Sequence, residues 1–224
     1  MKIDYQFALT DGPSHDFSVN VDRQARSGEG AADWTRLEVQ QCPHCPLKGS
    51  AATHCPPALD LERIVAAFNE ILSYQTARVT ITTPERTIIK DCDVQTGLTA
   101  LLGLIMASSA CPVLSKMKGL TRTHLPFQSL EETQFRFIGA YFAGQLLRSH
   151  QGETADWSLD GLSALFDELT TLNQAFKARI QSAARQDAAM NAVSTLAAQM
   201  MGVQITLEDG LEDLAPYVIP TPKD

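Results

Sequence analysis

Four of the five cysteines in this 224-residue chain stand directly before a proline: Cys42-Pro43, Cys45-Pro46, Cys55-Pro56 and Cys111-Pro112. With 11 prolines among 224 residues, chance gives a following proline at about 0.05 per position (11/224), so four of five is a pattern. Proline fixes its own φ and pushes the residue before it toward extended geometry. Each of these sulfurs therefore projects from a stiff, turned backbone, which suits several sulfurs converging on one point. Cys42 and Cys45 form C-x-x-C, a spacing that lets two thiolates grip one ion from a tight knuckle. Cys55 follows His54, and Cys111 has to be brought in by the fold. The first reading is a tetrahedral structural site for Zn²⁺ held by Cys42, Cys45, Cys55 and Cys111. It would tie a loop of the first half to the end of a helix near residue 110 and contribute folding free energy directly. His54, His44 and His124 are alternative fourth ligands.

Two other chemistries use the same sulfurs. An iron–sulfur cluster takes four thiolates, and Cys-Pro occurs in ferredoxin-type ligand runs, but the spacing here matches neither usual ferredoxin pattern. A redox dithiol at Cys42 and Cys45 is the third reading. It needs a helix N-terminus to lower the thiol pKa, and Pro46-Leu47-Lys48-Gly49-Ser50 is a poor helix start. Free cysteine also serves as an ordinary small core residue. Cys92, closing a strand, is read that way and assigned no role.

Outside the cysteines the signals are weaker. The chain has no G-x-S-x-G elbow, no G-x-x-x-x-G-K-[ST] loop and no H-E-x-x-H. His124 lies just ahead of a capped helix, where it serves as a general base or ligand, or simply bonds a neighbouring carbonyl. Asp187 and Asn191 share a helix face one turn apart, placed to join His124 or Arg136 if that face is buried. These residues are the candidates for hydrolytic chemistry, and an enclosed pocket joining His124 to Asp187 would favour an enzyme.

The elements that position these groups divide into two halves. Apolar residues two apart (Ile3, Tyr5, Phe7, Leu9, then Phe17, Val19, Val21) predict a hairpin over 2–10 and 15–22 across Asp11-Gly12-Pro13. Trp34 to Gln40 reads as a third strand, and 78–83 with 87–91 as a second pair. A helix capped by Asp60, with Leu61, Ile64, Val65, Phe68, Ile71 and Leu72 on one stripe, is inserted between them. From Gln95 the period is helical. A buried helix spans 95–109, and the capping box Ser129/Glu132 opens a second with Phe135, Ile138, Phe142 and Leu146 inward. A third starts at Ser158, a fourth covers 186–201, and Thr206 with Asp209 opens a fifth. The reading is α+β, an N-terminal mostly antiparallel sheet with an inserted helix followed by a helical half. One domain over 1–218 is expected, β-rich to residue 93 and helical from 94, with a frayed tail over 219–224.

The net charge of −8, from 18 basic and 26 acidic residues, comes without any basic stripe and argues against nucleic acid as a partner. The longest apolar run, 98–107, falls short of the roughly 18 residues a bilayer span needs. Met1-Lys2-Ile3-Asp4-Tyr5 does not resemble an export signal, so a cytoplasmic, reducing compartment with free thiols is expected.

The segments Trp34-Thr35-Arg36-Leu37, Gln41 to Leu47, and His54-Cys55-Pro56 resemble an uncharacterised family of bacterial proteins of similar length. Cys111-Pro112, His124-Leu125-Pro126-Phe127, Glu131-Glu132-Thr133, Asp187-Ala188 and Asn191-Ala192 extend the likeness over most of the chain. The resemblance implies a bacterial source and a domain of unknown function. On the residues alone, the expectation is a non-enzymatic binding or scaffold protein with a structural zinc. Its helical half would be available for self-association or a protein partner.

Overall fold

The structure is a computed structural model that describes residues 1–219. Strands β1 (Lys2–Leu9) and β2 (Ser14–Asn20) form the hairpin, pairing Ile3 with Val19 and Tyr5 with Phe17. Strand β3 (Thr76–Thr82) pairs with the other edge of β1, and β4 (Thr87–Asp93) pairs with β3, giving an antiparallel sheet in the order β2-β1-β3-β4. Alternation along the strands turns Ile3, Tyr5, Phe7, Val79 and Ile81 inward, where each is essentially buried. Helices α1 (Pro56–Ala67) and α2 (Val94–Ala107) supply the facing layer through Leu61, Ile64, Leu98 and Leu101. Phe68, just past α1, meets Phe7 edge-on at 5.1 Å. Gly97 lets α2 come close to the sheet: a Cβ there would lie 2.5 Å from the Phe7 ring and 2.8 Å from Val79.

The helical half comprises α3 (Leu130–His150), α4 (Asp160–Ala183), α5 (Ala188–Asp209) and the single turn α6 (Ala215–Val218). α5 packs between α4 and α2, so it links this half to the layer over the sheet. A 3-10 segment, Leu114–Thr123, joins α2 to α3. The chain is thus α+β, with the antiparallel sheet first and the mostly helical half after it. The capping box is formed as its spacing predicts: Glu132 N donates to Ser129 Oγ at 3.1 Å, and Ser129 N donates to Glu132 Oε2 at 2.8 Å. No helix among the described residues is long and apolar enough to cross a membrane.

Several expectations need correction. Trp34 to Gln40 is not a strand; a 3-10 turn at Asp33–Thr35 leads into further turns. Its alternate burial is real, with Thr35 and Leu37 inside, but the carbonyls of Trp34, Arg36 and Leu37 accept from the Arg179 side chain instead of a neighbouring strand. α1 begins at Pro56, one residue after Cys55, because prolines in a first helical turn lose no intrahelical hydrogen bond. Asp60 is inside that helix and takes Arg23 Nη2 at 2.6 Å. Thr206 opens no helix. It lies within α5, which runs on to Asp209 and stops at Gly210 with φ +116°. Phe135 and Leu146, expected inward, are exposed. Of the tail expected over 219–224, only Ile219 is among the described residues, and it is exposed.

Candidate metal centre

Three of the Cys-Pro loops lie in one irregular stretch between β2 and α1. Gln40, at φ +46°, turns the chain into them. Consecutive turns then follow: Cys45 N donates to Cys42 O, Lys48 N to Cys45 O, and Ser50 N to Leu47 O, all at 3.0–3.1 Å. Gly49, at φ +79°, permits the last of these. The chain returns beside its own start, where Leu37 N donates to Thr53 O and Cys55 N to Thr35 O. Cys55 then stands at the cap position of α1. Cys111 follows α2 and precedes the 3-10 segment, held by its amide on Ser109 Oγ at 3.4 Å.

These segments meet at one cavity of about 290 Å³, lined by Cys42, Cys45, Cys55 and Cys111 together. Leu37, Pro57, Val113, Leu172 and Phe176 make its walls largely apolar. Lys116 and Glu168 also line it, and they are joined at 2.6 Å. The fold thus brings Cys111 to the three earlier cysteines, and all five cysteines of the chain are free thiols. Cys92 lies on β4 and does not line this cavity. Among the described residues, no group of three or more His, Cys, Asp or Glu side chains is placed so that it could hold a metal ion.

The electrostatics of the cavity follow from burial against its largely apolar walls. Burial pushes the Cys42 thiol up to about 11, with repulsion from the sulfurs of Cys45 and Cys111 adding to it. Burial likewise takes Cys55 up to about 12 and raises Cys111. Against this, the Arg179 guanidinium favours ionised Cys42 and Cys55, and amides of the following turns favour ionised Cys55 and Cys111. The raised value at Cys42 is the opposite of what a redox nucleophile requires.

Arg179 had no place among the candidate residues. It sits on α4 one turn beyond Phe176, with only 2% of its surface exposed. Nη1 donates to Trp34 O at 2.9 Å and to Arg36 O at 2.6 Å, and Nη2 to Leu37 O at 3.1 Å. All three acceptors are neutral, and Arg179 forms no salt bridge with a carboxylate among the described residues. The one signal in the sequence was an arginine on the apolar stripe Leu172, Phe176, Ile180.

The histidines divide. His44 lines the cavity. His54 bonds Thr35 Oγ1 through Nδ1 at 2.8 Å and packs its ring against Gly28, where a Cβ would collide at 2.2 Å. His124 is elsewhere, its Nε2 2.5 Å from the buried Tyr5 hydroxyl. Asp187 accepts from Ser73 N and Ser73 Oγ, each at 2.9 Å, and from Asn191 Nδ2 at 3.0 Å. His124 and the Asp187/Asn191 pair are therefore engaged separately, and the polar cluster that a buried face would have allowed does not form.

The match that decides the family runs from residue 3 to residue 218, against a family model described as a domain of unknown function, DUF6901. The chain belongs to that family. Neither the curated proteins nor the solved structures gave a match. Membership thus covers both the β-rich and the helical half, and all four Cys-Pro positions fall within it.

Proposed function

We propose that this member of the family is a non-enzymatic binding or scaffold protein whose Cys-Pro loops close on one structural Zn²⁺. The observation that carries the reading is the convergence of Cys42, Cys45, Cys55 and Cys111 on a single cavity from two separate parts of the chain. Thiolates are soft ligands suited to zinc, and four of them complete a closed tetrahedral site. A cation would displace the protons that burial holds on Cys42, Cys55 and Cys111, so binding releases protons and stabilises the fold together. The tetrathiolate centre would carry a net charge of −2, which complements the buried guanidinium of Arg179. An isolated buried charge is otherwise expensive. The loop over 42–50, with most of its side chains exposed, can adjust to draw the sulfurs in. A reducing cytoplasm is the compartment in which five free cysteines persist. Exposed Leu147, Trp157 and Ile205 offer the helical half for self-association or a protein partner.

Cobalt(II) titration tests this directly, since a tetrahedral cobalt–thiolate centre absorbs in the visible. One equivalent should develop the band in the wild type and in Cys92→Ser. Cys42→Ser, Cys45→Ser, Cys55→Ser and Cys111→Ser should each weaken or shift it. Absence of the band, or an unchanged band in Cys111→Ser, would refute the site.

A further inference from the structure

A second cavity, of about 330 Å³, shares no lining residue with the cysteine cavity. It lies where α2, the loop 124–128, the start of α3 and the middle of α5 come together. Its body is apolar and adaptable, with Met106, Met117 and Met200 contributing unbranched, polarisable walls. Its charged lining is one-signed. Lys90 and Arg136 face it, and none of the 26 acidic residues of the chain is among its lining residues.

The partners of Arg136 sharpen this. Nη1 donates to Gln128 Oε1 at 2.6 Å, and Nη2 to Leu120 O at 3.2 Å and Thr123 O at 3.0 Å, all neutral acceptors. Glu132, one turn back, is committed to the Ser129 amide at 2.8 Å. The guanidinium is thus oriented by the loop, and although the Glu132 charge favours it, no carboxylate among the described residues forms an ion pair with it. Lys90 Nζ sits 5.2 Å from the centre of the Phe127 ring, and Phe127 holds that place in a left-handed backbone conformation, φ +62°. A bulky residue rarely adopts φ > 0, and such conformations gather where a site has to be shaped. A separate observation points the same way. Asn173 on α4 is 4% exposed and lines the cavity, yet its side-chain amide makes no hydrogen bond with any described residue. Its amide atoms reach the open space of the cavity, since His15 Nε2 alone among the described residues is a buried side-chain polar atom without a partner.

We propose that this cavity binds a small amphipathic carboxylate, its anionic head toward Arg136 and Lys90 and its apolar body along the methionine wall. The Asn173 amide remains for a further polar atom of the ligand or for a water that accompanies it. Pockets of this size, apolar with a few convergent polar groups, are the usual form of small-molecule sites, and the charged groups choose the sign of the ligand. The inference does not depend on metal at the cysteines.

Calorimetric titration of the intact chain with octanoate, 1-octanol and octylamine tests it. Octanoate should bind saturably at one site, with the alcohol and amine weaker by about tenfold or more. Lys90→Gln, an exposed position on β4, should narrow the gap between octanoate and octanol, and Arg136→Met should abolish it. If Arg136→Met does not fold, the Lys90→Gln result and the salt sensitivity of octanoate binding carry the test. No saturable octanoate binding up to millimolar concentration, equal binding of the three probes, or a preference unmoved by Lys90→Gln and by salt would overturn the proposal.

Discussion

Arg179 donates to the backbone carbonyl of Arg36 at 2.6 Å from a position almost wholly enclosed by the fold. With its bonds to Trp34 and Leu37 it takes the place of a strand and fixes the segment that leads into Cys42. Arg179→Met removes the donors and leaves three carbonyls seeking partners, so stability should fall by about 3 kcal/mol or more. Urea unfolding checks this. Arg179→Lys should recover only part, because one ammonium cannot reproduce the fork. A loss in Arg179→Met under about 0.5 kcal/mol, typical of a featureless surface position, would contradict the assigned role.

His124 gives the fold an acid-sensitive contact. Its burial, reinforced by the charge of Arg136, lowers its pKa to about 4. The unfolded chain takes up a proton near the ordinary value of about 6.5 while the folded chain stays neutral, so the unfolded state binds more protons between those limits. Stability attributable to this site is complete above about pH 6.5 and declines as pH falls toward 4, by up to about 3 kcal/mol. Denaturant melts at several pH values should show this slope in the wild type and a shallower one in His124→Gln. Parallel slopes would remove His124 as its source.

Gly97 is expected to resist even the smallest side chain. Alanine is the better helix former by about 1 kcal/mol, but its methyl would press on Phe7 and Val79, both fully buried. Overpacking of that kind costs about 1–3 kcal/mol. Gly97→Ala should therefore lower the melting temperature. An increase would mean that the sheet yields at this point.

Thiol reactivity separates the zinc reading from redox chemistry. A redox nucleophile reacts rapidly at neutral pH because its thiolate is populated. With Cys42 and Cys55 pushed up to about 11 and about 12, folded protein stripped of metal by a chelator should be alkylated slowly there, by roughly a hundredfold relative to protein in urea. Mass mapping after brief iodoacetamide treatment reads this out. One sulfur of Cys42 or Cys45 reacting faster than in urea would favour the dithiol.

What could be read from the sequence was what is local. The Ser129/Glu132 box needs only four consecutive residues, and the hairpin follows from alternation across one turn. Four Cys-Pro steps suggested a shared point; the four cysteines do line one cavity, but no group of three among the described residues is placed to hold a metal ion. The segment Trp34–Gln40 was not legible, because its period of two is shared by a strand and by a loop clamped from above by Arg179. Similarly, the fourth helix was expected to end at residue 201, whereas α5 runs on to Asp209. The bond from Gln134 Nε2 to Thr206 Oγ1 at 2.6 Å joins α3 to the extra turns of α5, a contact no local pattern reveals. His124 and Asp187 carried the right chemistry for a pair, but Tyr5 and Ser73 are their actual partners.

Elemental analysis of protein purified without added metal weighs most heavily on all of this. The account predicts about one zinc per chain, falling well below that in Cys111→Ser and unchanged in Cys92→Ser. Protein that is folded, fully reduced and free of bound metal would contradict it, as would iron accompanied by inorganic sulfide.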